Sequence, residues 1–272
     1  LAIGIYLAFG ALGLGFSLVV GGLKKIGKSH YFISDAHLSN HDWRNTEILL
    51  KFLASLKNKA QSLFILGDLL ELCFRYRKGI PQTNLKAFEG LRNLRKSGTK
   101  VYYILGNHDY WVRDYVKKEP SLFKLETLDG GEDGISVKTY RTLDLDGKKV
   151  YVAHGDEIDH SILTTLSRTV LRSQSNPLVY FLLHPKLGLV YARWFESIVR
   201  NLADSMGVVS KFESFARKKI SEGYDIIILG HTHKSKVQKI EAGYYLNTGN
   251  WINNYSYVVI EDSQPRLETF IP

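Results

Sequence analysis

Five short islands carry Asp, Asn and His in an order suited to holding metal ions: Asp35-Ala36-His37, Gly67-Asp68, Gly106-Asn107-His108-Asp109, His154-Gly155-Asp156 and Gly230-His231-Thr232-His233. Their donors are carboxylate and amide oxygen and imidazole nitrogen, with no thiolate. That set suits a pair of Mn, Fe or Zn ions better than a structural zinc site. Asp35, His37, Asp68, Asn107, His154, His231 and His233 could hold two divalent ions about 3.5–4 Å apart if one carboxylate bridges them. Asp68 is the natural bridge. It stands alone, whereas Asp35/His37 and His231/His233 come as alternate-residue pairs able to reach one ion.

Each island follows an apolar run of strand character: residues 30–33, 63–66, 101–105, 150–153 and 226–229. The donors therefore fall at strand ends, where an open α/β sheet places its ligand site. Between the first two runs, over 42–60, Ile48, Leu49, Phe52, Leu53 and Leu56 recur with helical period, and residues 84–97 repeat the pattern before Ser97-Gly98 stops it. Two β-α-β units in succession predict a parallel sheet. After residue 130 the texture changes, with turn signals at Gly130-Gly131, Gly134 and Asp146-Gly147 between short β-rich runs, as in antiparallel strands. The expectation is an α/β fold with two sheets packed between helices.

The order D-x-H, G-D, G-N-H-D, H-G-D, G-H-x-H resembles that of the calcineurin-like metallophosphoesterases, and the likeness covers residues 30 to 272. Within that family the chain is similar to the UDP-2,3-diacylglucosamine diphosphatases of lipid A biosynthesis, in the branch with His after Asn. The stretches that carry this are Leu66-Gly67-Asp68-Leu69-Leu70-Glu71 with Phe74-Arg75-Tyr76 and Pro81, Gly106 to Trp111, Leu183 to Gly188, and Asn247-Thr248-Gly249-Asn250-Trp251. The resemblance implies a four-layer α/β/β/α sandwich and two divalent ions, with manganese preferred. It implies that Asp35, His37, Asp68 and His233 hold one ion, and Asp68, Asn107, His154 and His231 the other. His108 becomes the candidate general acid or charge stabiliser, with Asp109 as the carboxylate that orients its imidazole. The best-known proteobacterial diphosphatases carry Arg where this chain has His108, and that departure keeps another phosphoester substrate open. The other histidines, His30, His41, His160 and His184, have no such support and read as surface or packing residues.

At 272 residues and 44% apolar composition the chain can bury a substantial core. The single cysteine, Cys73, excludes an intrachain disulfide and reads as a small buried hydrophobe in a reducing compartment. A net charge of +9 points to an anionic partner, whether nucleic acid, anionic lipid or phosphorylated substrate. Residues 1–28 divide from the metallophosphoesterase domain at 29–272: residues 1–23 carry no charged side chain and Lys24, Lys25 and Lys28 follow. A run of that length can cross a bilayer. Membrane span or anchor, packed helix and otherwise unusual segment all stay open. If it spans, the lysines place the domain on the cytoplasmic face of the inner membrane.

Residues 158–222 exceed what a crossover needs. They hold Leu182, Leu183, Leu187, Val190, Trp194, Phe195 and Ile198 among interspersed basic residues. An ordinary helical elaboration and an inserted lid that accepts acyl chains are the two readings. The activity expected is hydrolysis of UDP-2,3-diacylglucosamine to UMP and 2,3-diacylglucosamine 1-phosphate, at an anionic membrane surface and without nucleic acid. The alternatives are a phosphodiesterase or phosphatase acting on another nucleotide or phosphoester, and a non-catalytic binding module.

Overall fold

Period-two alternation with both faces apolar makes the central strands of this chain buried on two sides, so each strand must be covered by a layer above and another below. A computed structural model describes residues 29–39, 43–71, 82–109, 112, 135–136, 140–158 and 207–272. Outside these lie the apolar N-terminal segment, Cys73 and the aromatic stretch after it, His41, His160, His184, and most of the expected lid. Among the described residues no helix is long and apolar enough to cross a membrane.

The first sheet is built from β1 (Ser29–Ile33), α1 (Trp43–Leu56), β2 (Ala60–Leu66), α2 (Gln82–Lys96) and β3 (Lys100–Ile104), with β4 (Ile135–Ser136) beside β3. Its parallel register sets Ile33 against Ile65, and Leu66 against Ile104, so the carboxyl ends of the three strands share one edge. The second sheet takes β5 (Tyr140–Leu145), β6 (Lys148–Ala153), β7 (Ile226–Leu229), β8 (Lys236–Ile240) and β9 (Gly243–Asn247), in the order β5-β6-β7-β9-β8. Helix α3 (Val208–Ser221) precedes β7. The hairpin β10 (Ser256–Glu261) and β11 (Gln264–Thr269) then returns to the first sheet, where β10 pairs antiparallel with β1.

Three cores make the four layers. Ile33, Leu63, Ile65 and Val101 pack under α1 and α2. The alternate residues Phe32, Phe64, Leu66 and Ile104 meet Val150, Val152, Ile226, Ile228 and Leu246 between the sheets. Tyr151, Ile227 and Leu229 face α3 through Phe212 and Ala216. Within the middle layer Phe32 stacks on Phe64 at 4.8 Å and Phe64 on Tyr102 at 4.7 Å.

The antiparallel texture expected after residue 130 holds at the edges of the second sheet and fails at its centre. There β6, β7 and β9 run parallel, because β7 is buried on both faces and can be reached only by crossovers. His30 is a packing residue, buried with its Nδ1 2.7 Å from the Ser62 hydroxyl.

Phe52 of α1 is 1% exposed and meets the rings of Trp251 (4.6 Å), Tyr257 (5.0 Å) and Phe270 (5.5 Å), tying the first helix to the C-terminal strands. Phe52→Ala is expected to destabilise the protein by about 3–5 kcal/mol. In urea unfolding this lowers the midpoint at unchanged slope.

Candidate metal centre

The loops after β1 and β2 continue side by side beyond the sheet. Asp35 N–H donates to Gly67 O (3.1 Å), His37 N–H to Asp68 O (3.0 Å), Leu38 N–H to Leu69 O (2.9 Å) and Glu71 N–H to Leu38 O (3.0 Å). Within this ladder the backbone is left-handed at Asp35 (φ 54°), His37 (φ 45°) and Asp68 (φ 52°), and across the site again at His231 (φ 68°) and His233 (φ 57°). Each such residue costs roughly 1–2 kcal/mol against the right-handed form. Strain of this kind persists only where surrounding structure holds it, and it gathers at functional sites.

Close approach also requires glycine. A Cβ at Gly106 would lie 2.1 Å from Asp68 Oδ1, and one at Gly67 would lie 2.7 Å from His154 Nδ1.

The side chains converge in two groups. Asp35 Oδ1 lies 3.2 Å from His233 Nε2 and 3.8 Å from His37 Nε2, and the two imidazole nitrogens are 3.3 Å apart. In the second group His154 Nε2 lies 3.0 Å from Asn107 Oδ1, 3.2 Å from His231 Nδ1 and 3.3 Å from Asp68 Oδ2. Asp68 Oδ2 is also 3.8 Å from His37 Nε2, so one carboxylate oxygen faces both groups. His231 and His233, whose spacing would let them reach one point, sit in different groups because two left-handed residues separated by Thr232 send the rings apart.

This arrangement fits a pair of cations. Two donors at about 2.1 Å from a common ion and at right angles lie about 3 Å apart, close to the shorter separations here. Asp35 Oδ1 is buried and has no hydrogen-bond partner among the described residues. His154 Nδ1 faces the Leu66 carbonyl at 2.8 Å, which fixes the ring and directs Nε2 into the group.

Electrostatics follow from burying carboxylates against imidazoles. Burial opposes charge on Asp35, but His233 beside it outweighs that effect and holds the carboxyl well below the usual range. At Asp68 burial is likewise overcome, first by His154 and then by His108. Burial disfavours the charged form of His154 too, yet the Asp68 carboxylate raises this imidazole well above its ordinary value. His231 goes the other way, pushed down to about 4 by burial and then by the charge on His154.

His108 and Asp109 part company. Asp109 takes Gly106 N–H on Oδ1 (2.7 Å), and Leu69 N–H (2.9 Å) and the Tyr103 hydroxyl on Oδ2, so it ties the third loop to the second. Burial and then the Asp68 charge push its carboxyl up to about 6. Among the described residues, Glu71 and Asp68 place carboxylate oxygens 4.0 Å from the His108 ring nitrogens. The orienting contact expected of Asp109 is thus corrected: its oxygens face the loop backbone and Tyr103.

Sequence reading passed over the residues that lock the loops. Ser34 Oγ donates to Asp35 Oδ2 and lies 2.6 Å from Thr248 Oγ1. His231 N–H donates to the same Asp35 Oδ2 (2.9 Å), Asn247 Nδ2 to Gly230 O (2.8 Å), Asn250 Nδ2 to His233 O (3.1 Å) and Trp251 N–H to Asp35 O (3.0 Å). The run 247–251 was legible as a likeness, but its role as the clamp on both strained loops was not.

The sequence profile of calcineurin-like phosphoesterases matches residues 30–235. The chain is similar to the UDP-2,3-diacylglucosamine hydrolase of Neisseria meningitidis serogroup B, at 26% identity over 257 residues, covering 90% of this chain and 98% of that protein. The protein of the same name from Porphyromonas gingivalis is 29% identical over 171 residues, 59% of this chain and 60% of that one. Among solved structures, a dimetal phosphatase from Danio rerio aligns with a TM-score of 0.48 at 11% identity, over 90% of this chain and 99% of that one.

With both ring nitrogens of His154 facing oxygen acceptors, chelator-stripped protein is expected to carry an imidazolium there at pH 7. Titrating Mn²⁺ into it should release about one proton from this residue, since a coordinating imidazole is neutral, while His231 contributes none. Calorimetry in two buffers of different ionisation enthalpy measures the release, and the same apparent enthalpy in both would contradict it.

Proposed function

The chain belongs to the calcineurin-like phosphoesterase family, and from that premise we propose that it hydrolyses the pyrophosphate bond of UDP-2,3-diacylglucosamine, giving UMP and 2,3-diacylglucosamine 1-phosphate. The reaction class is supported by the single Asp68 oxygen shared between two donor groups. The substrate is supported by similarity along nearly the whole length of relatives that bear that name.

In this reading Asp35, His37, Asp68 and His233 would hold one divalent ion, and Asp68, Asn107, His154 and His231 the other, with Mn²⁺ the ion preferred. Such a pair supplies electrophilic charge for the phosphoryl oxygens and lowers the pKa of water. The protein's own part is positioning. His108 N–H holds Asp68 Oδ1 at 2.9 Å and so turns Oδ2 toward both groups. The Leu66 carbonyl accepts from His154 Nδ1, keeping Nε2 available. Asn107 offers a neutral oxygen, which limits the negative charge facing an incoming diphosphate. His108, whose Nε2 faces Asp68, would hold a proton for the departing phosphate oxygen or stabilise its charge. The oxygen of water adds to one phosphorus, the bridging P–O bond breaks, and the protons of water pass to product phosphate or solvent.

The acyl chains would meet apolar residues of the 158–222 stretch, such as Leu182, Leu183, Leu187 and Val190. Positive charge and the apolar N-terminal segment would bring the enzyme to the anionic cytoplasmic face of the inner membrane. His108 in place of Arg favours one second reading, a phosphodiesterase acting on a different nucleotide.

Purified protein with Mn²⁺ is expected to convert UDP-2,3-diacylglucosamine to UMP and the lipid 1-phosphate, and reaction in ¹⁸O-water identifies the phosphorus attacked by which product carries the label. Faster turnover of a short nucleotide diester than of the diacylated substrate would move the assignment to the second reading. His108→Ala should reduce kcat by roughly 10²–10⁴ with metal content intact. Loss of metal in that variant would make His108 a ligand instead.

A further inference from the structure

Glu71 follows the Gly67-Asp68 island and is not among the donors expected from the sequence, yet it sits between two of the site's imidazoles. Its Oε2 lies 3.6 Å from His37 Nδ1 and its Oε1 lies 4.0 Å from His108 Nδ1. The two rings stand nearly perpendicular, at 85° with centroids 4.7 Å apart. Their other nitrogens both point at the shared carboxylate: His37 Nε2 is 3.8 Å and His108 Nε2 4.0 Å from Asp68 Oδ2. Each ring is therefore spanned by Glu71 on its Nδ1 side and Asp68 on its Nε2 side.

The backbone holds Glu71 in register with His37. Leu38 bridges Leu70, Leu38 N–H donates to Leu69 O at 2.9 Å, and Glu71 N–H donates back to Leu38 O at 3.0 Å. Residue 71 cannot shift along the ladder without breaking the pairing that also positions residues 35 and 37.

His37, Glu71 and His108 would by geometry also suffice as a cation site of their own. Chemistry argues against that use. An imidazole that coordinates through Nε2 keeps its proton on Nδ1, and a second ion at Nδ1 would require loss of that proton as well. A carboxylate facing Nδ1–H is the ordinary partner of a ligating histidine.

We propose that Glu71 is a positioning residue that fixes His37 and His108 together, one as a donor to the metal pair and the other as the group that faces phosphate. The inference rests on the metal-site reading given above. It makes the ligand geometry and the placement of the acid depend on one side chain.

The test uses the full chain, chelator-stripped, with Mn²⁺ affinity measured by calorimetry and hydrolysis of bis(p-nitrophenyl) phosphate measured at saturating Mn²⁺. Glu71→Ala is expected to weaken Mn²⁺ binding by about 10–100-fold through His37 and to lower kcat through His108 with little change in KM. The loss in kcat should disappear when Glu71→Ala is combined with His108→Ala, whereas the loss in Mn²⁺ affinity should persist there. Glu71→Gln has nearly equal volume and one acceptor oxygen, so at least one of the two losses should remain, and it guards against a folding defect in the alanine variant. A kcat loss that multiplies with that of His108→Ala would overturn the coupling. Wild-type Mn²⁺ binding left unaltered by both substitutions would overturn this inference alone. Wild-type protein that binds no Mn²⁺ would overturn the metal reading with it.

Discussion

Two carboxylates held out of water, Asp35 and Asp68, are the constraint around which this structure is arranged. A buried anion is tolerable only against cations and aimed donors, and removing one partner of such a set leaves a charge that costs several kcal/mol. The partners come largely from the other sheet. Asp68 faces His154 at the end of β6, and Asp35 faces His233 beyond β7. Charge balance at the edge therefore requires the two sheets to meet at one spacing. The middle core, with Phe32, Phe64 and Tyr102 stacked in file, sets that spacing.

The loops that reach the edge are strained, and the strain has a purpose. A strand end that ran straight on would carry Asp35 and His37 past the junction. Left-handed turns at 35, 37, 68, 231 and 233 fold the chain back over the strand ends, at an unfavourable local conformation in each case. What holds them is a lattice of backbone donors together with Ser34, Asn247, Thr248 and Asn250. On the outer side Phe212 of α3 lies parallel to the His231 ring at 6.2 Å, so the fourth layer presses on the same loop. The site is over-determined by its surroundings, which suits a centre whose task is to keep charges in place while substrate charge changes.

Division of labour among the carboxylates follows from what each oxygen meets. Asp68 gives one oxygen to a backbone amide and the other to the imidazoles, whereas Asp109 gives both to loop amides and a tyrosine hydroxyl. Carboxylates of two adjacent loops thus do opposite things. Asp109 builds the turn that presents Asn107 and His108, and Glu71 lies toward the Nδ1 sides of the His37 and His108 rings.

The strand-then-polar rhythm was legible at every island, because a buried parallel strand must be continuously apolar and ends where the polar residues begin. The two β-α-β units and the helical period of Ile48, Leu49, Phe52, Leu53 and Leu56 were legible for the same reason, since local periodicity encodes which face is covered. The return of β10 to a place beside β1, the parallel centre of the second sheet and the left-handed turns at the donor loops were not. They are set by pairings between distant parts of the chain, Ser29 with Glu261 and Val150 with Ile226 among them, and by backbone turns whose sign no residue type dictates. By itself the sequence determined the candidate donors, their strand-end placement and the family to which the chain belongs. Only the tertiary structure decided what surrounds those donors, because contacts such as Glu71 to His37 and His108, Asp109 to Leu69 N–H and Tyr103, and Asn250 to His233 O arise where separate loops are brought together by packing, and distance in space is not written in any one loop.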